Sequence, residues 1–313
     1  TERTILRRSY LYVPCSSERM LQKSPSTKSD VIIYDLEDSV APSEKDKTEA
    51  RERLANFLTR TPQTELPDAT RIAVRLNATD TPFFERDIAQ VTRLPSVRTL
   101  ILPKVHSVDD LHIVSRAINA SGRSHREPIH LIASVESARS LWGIGDIASW
   151  KDEAGDNNTS LTALLFAAED YCADTSIIRT TSRQELLYTR SRIVVAAKAF
   201  GLEAIDMVCV NYKDPDYLKD ECEDGRRLGF TGKQAIHPVQ VKTIQSTFGP
   251  TEKEILRAAK ILHQMAEAHA MRRGAVGLDT GDGKDGKEMI DAPMLKQAEN
   301  TIRLAHAAGL HVP

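Results

Sequence analysis

Two short apolar runs, each leading into acidic residues, constrain this 313-residue chain more than any other feature. The first, IHLIASVE, covers Ile129–Glu136. The second, LTALLFAA, covers Leu161–Ala168 and is followed at once by Glu169 and Asp170. Neither alternates apolar with polar residues, as a strand with one wet face does. Continuous apolar strands suit a parallel sheet covered on both faces. Carboxylates at the C-terminal ends of such strands stand where α/β proteins keep their chemistry. Two of them on rigid strands can hold a hard divalent cation.

The same strand–helix alternation recurs along the chain. Strands are expected at 9–13, 31–36, 72–76, 99–102, 129–136, 161–168, 204–210 and 231–236. Between them fall helices at 17–23, 43–58, 84–91, 108–118, 138–147, 182–200, 217–228 and 239–248. Their apolar residues share faces at helical spacing, as Ala50, Leu54, Phe57 and Leu58 do in one, and Val108, Leu111, Val114 and Ile118 in another. Eight such units predict an α/β fold of the (β/α)8 TIM-barrel type over residues 1–250. A doubly wound open sheet shares the pattern, because sequence does not show closure.

Beyond Pro250 the pattern becomes helical, with an amphipathic segment at 252–271 and a last helix at 293–306. A glycine-rich stretch, 274–286, separates them. We read 251–313 as a C-terminal helical extension, a lid or oligomerisation segment with a flexible middle. Its GDGKDG (Gly281–Gly286) matches the dinucleotide spacing G-x-G-x-x-G but lacks a strong strand before it, and is read as a solvated hinge.

Composition excludes several classes. With 42 basic and 44 acidic residues, nothing marks a nucleic-acid surface. No apolar run approaches the length of a membrane span, and the N-terminal residues before the first strand are too short for a targeting peptide. Cys15, Cys172, Cys209 and Cys222 lie far apart, without metal-ligand spacing, as expected of a soluble intracellular protein with reduced thiols. H-E-x-x-H, G-x-S-x-G and Walker sequences are absent, which disfavours a zinc protease, a serine hydrolase or a P-loop enzyme.

Ionised residues fall repeatedly where strands should end: Asp35, Glu37 and Asp38, then Arg75, Lys104, Glu136, Glu169 and Asp170. One such residue is ordinarily a surface salt bridge. Many together are costly unless they satisfy a metal, a substrate or one another. Magnesium takes oxygen ligands and commonly keeps positions for water or substrate, so Glu136 and Asp170 would leave room for a bidentate 2-oxo or 2-hydroxy acid.

Eight motifs carry a resemblance: YVP (Tyr12–Pro14), YDLEDSV (Tyr34–Val40), VRLN (Val74–Asn77), LPKV (Leu102–Val105), VESA (Val135–Ala138), AEDY (Ala168–Tyr171), GFTGKQAIHP (Gly229–Pro238) and IDAPMLKQA (Ile290–Ala298). In this order they resemble the citrate lyase beta-subunit-like family of the HpcH/HpaI aldolase superfamily, most of all its mitochondrial members. The resemblance implies a magnesium-dependent TIM barrel acting on acyl-CoA thioesters and 2-oxo acids, as a homotrimer, with the mitochondrial matrix as its compartment. Glu136 and Asp170 match the metal ligands, and Arg75 the arginine at the thioester carbonyl. Asp38 lies in the family's acidic motif at the pocket, with Asp35 and Lys104 beside it as substrate contacts. Asp291 matches a carboxylate that a neighbouring subunit delivers to the site. Arg19 and Lys23 match a basic stretch reaching coenzyme A phosphates, although a solvated helix face has the same composition, and Lys233 is a further candidate there.

The implied reaction is cleavage of a 3-hydroxyacyl-CoA of the citramalyl-CoA type to pyruvate and acetyl-CoA. Alternatives are malyl-CoA cleavage or malate-synthase-type condensation, a citryl-CoA lyase subunit of a larger complex, and a non-catalytic coenzyme A-binding subunit. Three departures bear on substrate fit: Cys15 in place of glycine, Arg139–Ser140 after the metal-binding glutamate, and Ala167–Ala168 in place of glycines.

Overall fold

Eight strands, all parallel and paired in chain order, close on themselves, the eighth returning to the first. The computed structural model describes residues 5–122, 127–152, 158–270, 276–278 and 288–313. The first half runs β1 (Ser9–Pro14), α1 (Glu18–Lys23), β2 (Val31–Asp35), α2 (Glu44–Arg60), β3 (Ile72–Arg75), α3 (Phe84–Val91), β4 (Thr99–Leu102) and α4 (Val108–Ala120). The second runs β5 (Ile129–Val135), α5 (Ala138–Trp142), α6 (Ile144–Ser149), β6 (Thr159–Phe166), α7 (Ala168–Thr175), α8 (Leu187–Ala199), β7 (Glu203–Asp206), α9 (Pro215–Leu228), β8 (Gly232–Ala235) and α10 (Gln240–Thr247).

The apolar runs are apolar because both faces of each strand are covered. All five residues of β2 are buried. Inward-facing Tyr10, Ile33, Ile101, Ile132, Leu165 and Ile205 fill the barrel, while the alternate positions meet the helices. Each fully buried aliphatic side chain contributes about 1.5–3 kcal/mol. The interior is thus a packed core, and chemistry is left to the rim. Helix starts follow their capping residues: Ser43 accepts from the Asp46 amide before α2, and Ser107 forms a capping box with Asp110 before α4.

The strand boundaries differ from expectation at two informative places. β7 ends at Asp206 rather than 210, because the carbonyls that would continue the ladder are taken by side chains. Lys233 Nζ donates to Met207 O, Arg179 to Val208 O and Gln240 Nε2 to Cys209 O. β6 ends at Phe166 and α7 begins at Ala168. Glu169 and Asp170 therefore stand in the first turn of a helix, where amide dipoles favour negative charge, and not on the strand itself.

The chain divides into two compact units, Arg7–Gln245 and Ser246–Pro313 with the residues up to Leu6. In the second, α11 (Glu252–Ala270) packs along α12 (Ala292–Ala307) around Ala258, Ile261, Met265, Ile290 and Ala298. The residues before GDGKDG read only weakly as a strand, and there the short β9 (Val276–Leu278) pairs antiparallel with β10 (Glu288–Ile290). The rest of the expected hinge, GDGKDG included, lies outside the described residues. All four cysteines are free. Among the described residues no helix is long and apolar enough to cross a membrane.

Candidate active site

A cavity of about 400 Å³ opens among the C-terminal strand ends, and Tyr12, Asp35, Asp38, Arg75, Glu136 and Asp170 all line it. Five of the six were singled out from sequence.

Arg75, the last residue of β3, is the cationic centre. Asp35, at the end of the neighbouring β2, grips it in a fork, Nε to Oδ1 at 2.7 Å and Nη2 to Oδ2 at 2.8 Å. Nη1 meets Glu37 at 3.0 Å and Asp38 at 3.1 Å. The backbone explains why this loop curls around the arginine: the amides of Glu37 and Ser39 both donate to the Asp35 carboxylate. Burial alone would raise the Asp35 carboxyl, but the Arg75 fork and the loop's hydrogen bonds hold it below the usual range. Three of the guanidinium's five N–H donors are thus hydrogen-bonded, Glu37 adds an ion pair at Nη1, and one donor is left on Nη2. Asp38, 63 % exposed, is the partner most easily displaced.

The carboxylate pair lies among the same strand ends. Glu136 follows β5 and is held back from the helix by Ser137, whose hydroxyl caps α5. Ser140, one of the sequence departures, completes that capping box by accepting from the Ser137 amide. Burial first, and then the charge of Asp170, push the Glu136 carboxyl up to about 7. Asp170 is raised by burial and by Asp38. Glu37 rises further, to about 8, again chiefly from burial, with Asp38, Glu136 and Asp35 adding to it. Lys104 stands in the left-handed region at φ 51°. Its backbone amide donates to Glu136, while its ammonium lies 3.8 Å from Glu37.

Glu136 is buried and Asp170 exposed; two like-charged carboxylates lining one cavity are unfavourable by themselves, and a hard cation between them relieves both. Their all-oxygen character fits magnesium rather than zinc. The described residues hold no cluster of three or more His, Cys, Asp or Glu side chains suited to a metal. A cation on this pair would draw its other oxygens from water or substrate.

Other sequence candidates have surroundings of their own. Lys233 is fully buried and salt-bridged to Glu221 at 2.7 Å, so it cannot reach a coenzyme phosphate. This corrects the sequence expectation. Asp35 lines the cavity, but its oxygens serve Arg75 and the loop amides, which makes it a support for the arginine. Arg19 and Lys23 stand exposed on α1. Asp291 belongs to the second compact unit, where it is exposed and caps α12, accepting from the Met294 amide at 3.3 Å.

Sequence reasoning gave no role to Tyr12, Glu37 or Gln234. Tyr12 lies under the Arg75 guanidinium, 4.8 Å from ring centroid to Cζ, and its hydroxyl donates to Gln234 Oε1 at 2.9 Å. The signal was strand parity: Tyr10 faces inward, and so must Tyr12.

Residues 8–238 match the family model HpcH/HpaI aldolase/citrate lyase. The chain is 36 % identical over 305 residues to the mitochondrial citramalyl-CoA lyase of Rattus norvegicus, covering 96 % of this chain and 86 % of that protein. It is 30 % identical to the citrate lyase subunit beta of Leuconostoc mesenteroides subsp. cremoris, covering 96 % and 94 %. Among solved structures it resembles the protein CitE from Mycobacterium tuberculosis in complex with magnesium, acetoacetate and coenzyme A. There the identity is 27 % and the TM-score 0.74, with 96 % of this chain and 98 % of that one covered.

Proposed function

This chain belongs to the HpcH/HpaI aldolase/citrate lyase family, and on that premise we propose that it is a magnesium-dependent carbon–carbon lyase cleaving citramalyl-CoA to pyruvate and acetyl-CoA. The observation that carries this reading is the convergence of Glu136, Asp170 and Arg75 on one cavity at the barrel mouth. The likeness to the rat citramalyl-CoA lyase and to the magnesium- and coenzyme A-bound CitE supplies the substrate class and the metal.

A magnesium ion held by Glu136 and Asp170 would supply a Lewis acid for the substrate's hydroxyl and adjacent carboxylate. The remaining work falls to the chain's own residues. Asp291, supplied by a neighbouring copy in a homotrimer, takes the hydroxyl proton. The electrons of that O–H bond form the carbonyl of pyruvate, and those of the broken C–C bond pass to the acyl carbon chain as an enolate. Arg75 turns its remaining donor to the thioester oxygen, where charge develops. Return of the proton from Asp291 to the enolate carbon completes acetyl-CoA and regenerates the carboxylate. The mitochondrial matrix is the proposed compartment, on the same likeness.

Citryl-CoA carries one more carboxylate than citramalyl-CoA. Arg75 is the cation among the described residues lining the cavity, and three acids already share it. An additional carboxylate there would be desolvated without a partner, which favours the methyl-bearing substrate. The test compares citramalyl-CoA, malyl-CoA and citryl-CoA with and without magnesium. Citramalyl-CoA should give the highest kcat/KM, and only with the metal. Turnover of none of the three would sink the lyase reading. Asp291→Asn should lose most turnover while magnesium binding holds; near-normal rates would remove Asp291 from proton transfer.

A further inference from the structure

Gln234 enters the barrel mouth from β8 and is 3 % exposed. Its Nε2 donates twice, to Phe166 O at 2.9 Å and to Asp206 O at 3.0 Å. Both carbonyls lie at strand ends, and Phe166 is already past the last paired residues of β6 and β7, Leu165 with Ile205. With both amide hydrogens used in this way, the orientation of the amide is fixed. Oε1 must then face the opposite way, where it accepts from the Tyr12 hydroxyl. A glutamate in this place would set acceptor against acceptor at both carbonyls. It would also add negative charge to a mouth where Asp35, Glu37, Asp38, Glu136 and Asp170 already share Arg75 and Lys104.

The contacts on Arg75 divide by direction. Asp35 and Asp38 hydrogen-bond the guanidinium's nitrogens, and Glu37 adds an ion pair at Nη1. Such bonds oppose tilting only weakly. The guanidinium lies over the face of the Tyr12 ring, and a cation held by an aromatic face depends on where that face stands. That ring borders an open cavity, so a tether at its hydroxyl end is what keeps it from swinging inward. Gln234 is the tether, anchored in turn on β6 and β7.

We propose that Gln234 is a positioning residue for the lyase reaction, acting through Tyr12 to set the tilt at which Arg75 meets the thioester oxygen. The proposal rests on the role given to Arg75 above. Its consequences separate from those of a merely structural glutamine, which would hold the end of β6 and therefore also affect Asp170 and metal binding.

The experiment uses the magnesium-loaded full chain with citramalyl-CoA, and measures manganese affinity separately by electron paramagnetic resonance. Tyr12→Phe keeps the ring and removes only the hydroxyl. It should lower kcat about tenfold, the worth of one neutral hydrogen bond, with KM changed less than about twofold and metal affinity unchanged. Gln234→Met should act in the same direction, and Tyr12→Phe/Gln234→Met should be no slower than Gln234→Met alone, because both break one path. Wild-type kcat in Tyr12→Phe overturns the proposal. So do multiplying effects in the double variant, or metal affinity falling alongside kcat. Should Gln234→Met fail to fold, Tyr12→Phe decides alone. Arg75→Ala separates the two levels. If its kcat is intact, the role of Arg75 fails and the proposal with it; if it is inactive while Tyr12→Phe is normal, only the proposal fails.

Discussion

Behind β7 and β8, and again at the barrel mouth, charged side chains gather at strand ends, but under opposite rules. Behind the strands every charge is matched. Lys233 sits between Glu221 and Asp206 at 2.7 and 3.9 Å, Arg179 bonds Glu221, and Arg190 spans Asp206 and Asp224. Burial opposes the Glu221 carboxylate, yet Lys233 and Arg179 hold it below its usual range, and Asp224 is held down by Arg190. Even the backbone is adapted. Gly225 interrupts α9, where alanine would be preferred by about 1 kcal/mol, because a Cβ there would collide with Asp206 Oδ2. At the mouth five carboxylates face two cations, and Glu136, Glu37 and Asp170 are all raised. The difference teaches that charge at a strand end does not mark a site. Unbalanced charge does.

Breaking the matched cluster should have the largest effect. Lys233→Met leaves the fully buried Glu221 and Asp206 short of a cation, and should cost about 3–5 kcal/mol in denaturant unfolding. The mouth should behave the other way. Glu136→Gln removes a carboxylate that burial and Asp170 already oppose, so the metal-free protein should lose no stability at pH 8. Magnesium-dependent turnover should nevertheless fall by about two to three orders of magnitude, the several kcal/mol that a bound cation supplies. If Glu136→Gln is destabilising and Lys233→Met neutral, the contrast is wrong.

The same contrast explains what could be read from sequence. The eightfold strand–helix alternation pointed to the barrel, and the continuous apolar runs at 129–136 and 161–168 to strands covered on both faces. The acids at the mouth were legible as strand-end charges, and Arg75 through its motif. Lys233 was misplaced because sequence does not say which strand face looks inward. Neighbours on a strand point to opposite sides, so once Gln234 faces the cavity, Lys233 must face the helices. Gln234 itself went unread because a neutral amide gives no signal until its three partners, on three other strands, are in place. The length of β7 was overestimated for a related reason. Met207 and Val208 look like strand, and only the fold reveals that Lys233 and Arg179 claim their carbonyls.

A pH series sharpens the comparison at intermediate size. Glu136 and Glu37 have folded-state values raised to about 7 and about 8. In the metal-free protein the native state therefore binds protons that the unfolded chain has already released. Stability from these groups is present at acid pH and is lost as pH rises through the window from the ordinary carboxylate range to about 8. Tm without magnesium should be about 2–4 °C lower at pH 8 than at pH 6, on the order of 1 kcal/mol for a chain of this size, and Glu37→Gln should flatten the upper part of the slope. The matched cluster has the reverse sign. Glu221 and Asp224 are lowered, so their contribution is lost only as acid reaches their depressed values. A Tm rising steadily from pH 6 to 8 without metal would show that the mouth carboxylates are not unbalanced.

The smallest effect should come from a third kind of charge, neither matched nor crowded. Arg19 and Lys23 stand exposed on α1, and the structure shows no ion-pair partner for either among the described residues. A solvated cation that meets a coenzyme phosphate at the surface contributes little, because water and salt screen it. Arg19→Ala/Lys23→Ala should leave unfolding unchanged and raise KM for the thioester only about two- to fivefold at low salt. The difference from wild type should shrink as ionic strength rises, with kcat unaltered. A fall in kcat would place these residues in the chemistry. A KM unchanged even at low salt would make them the solvated helix face that their composition also allows.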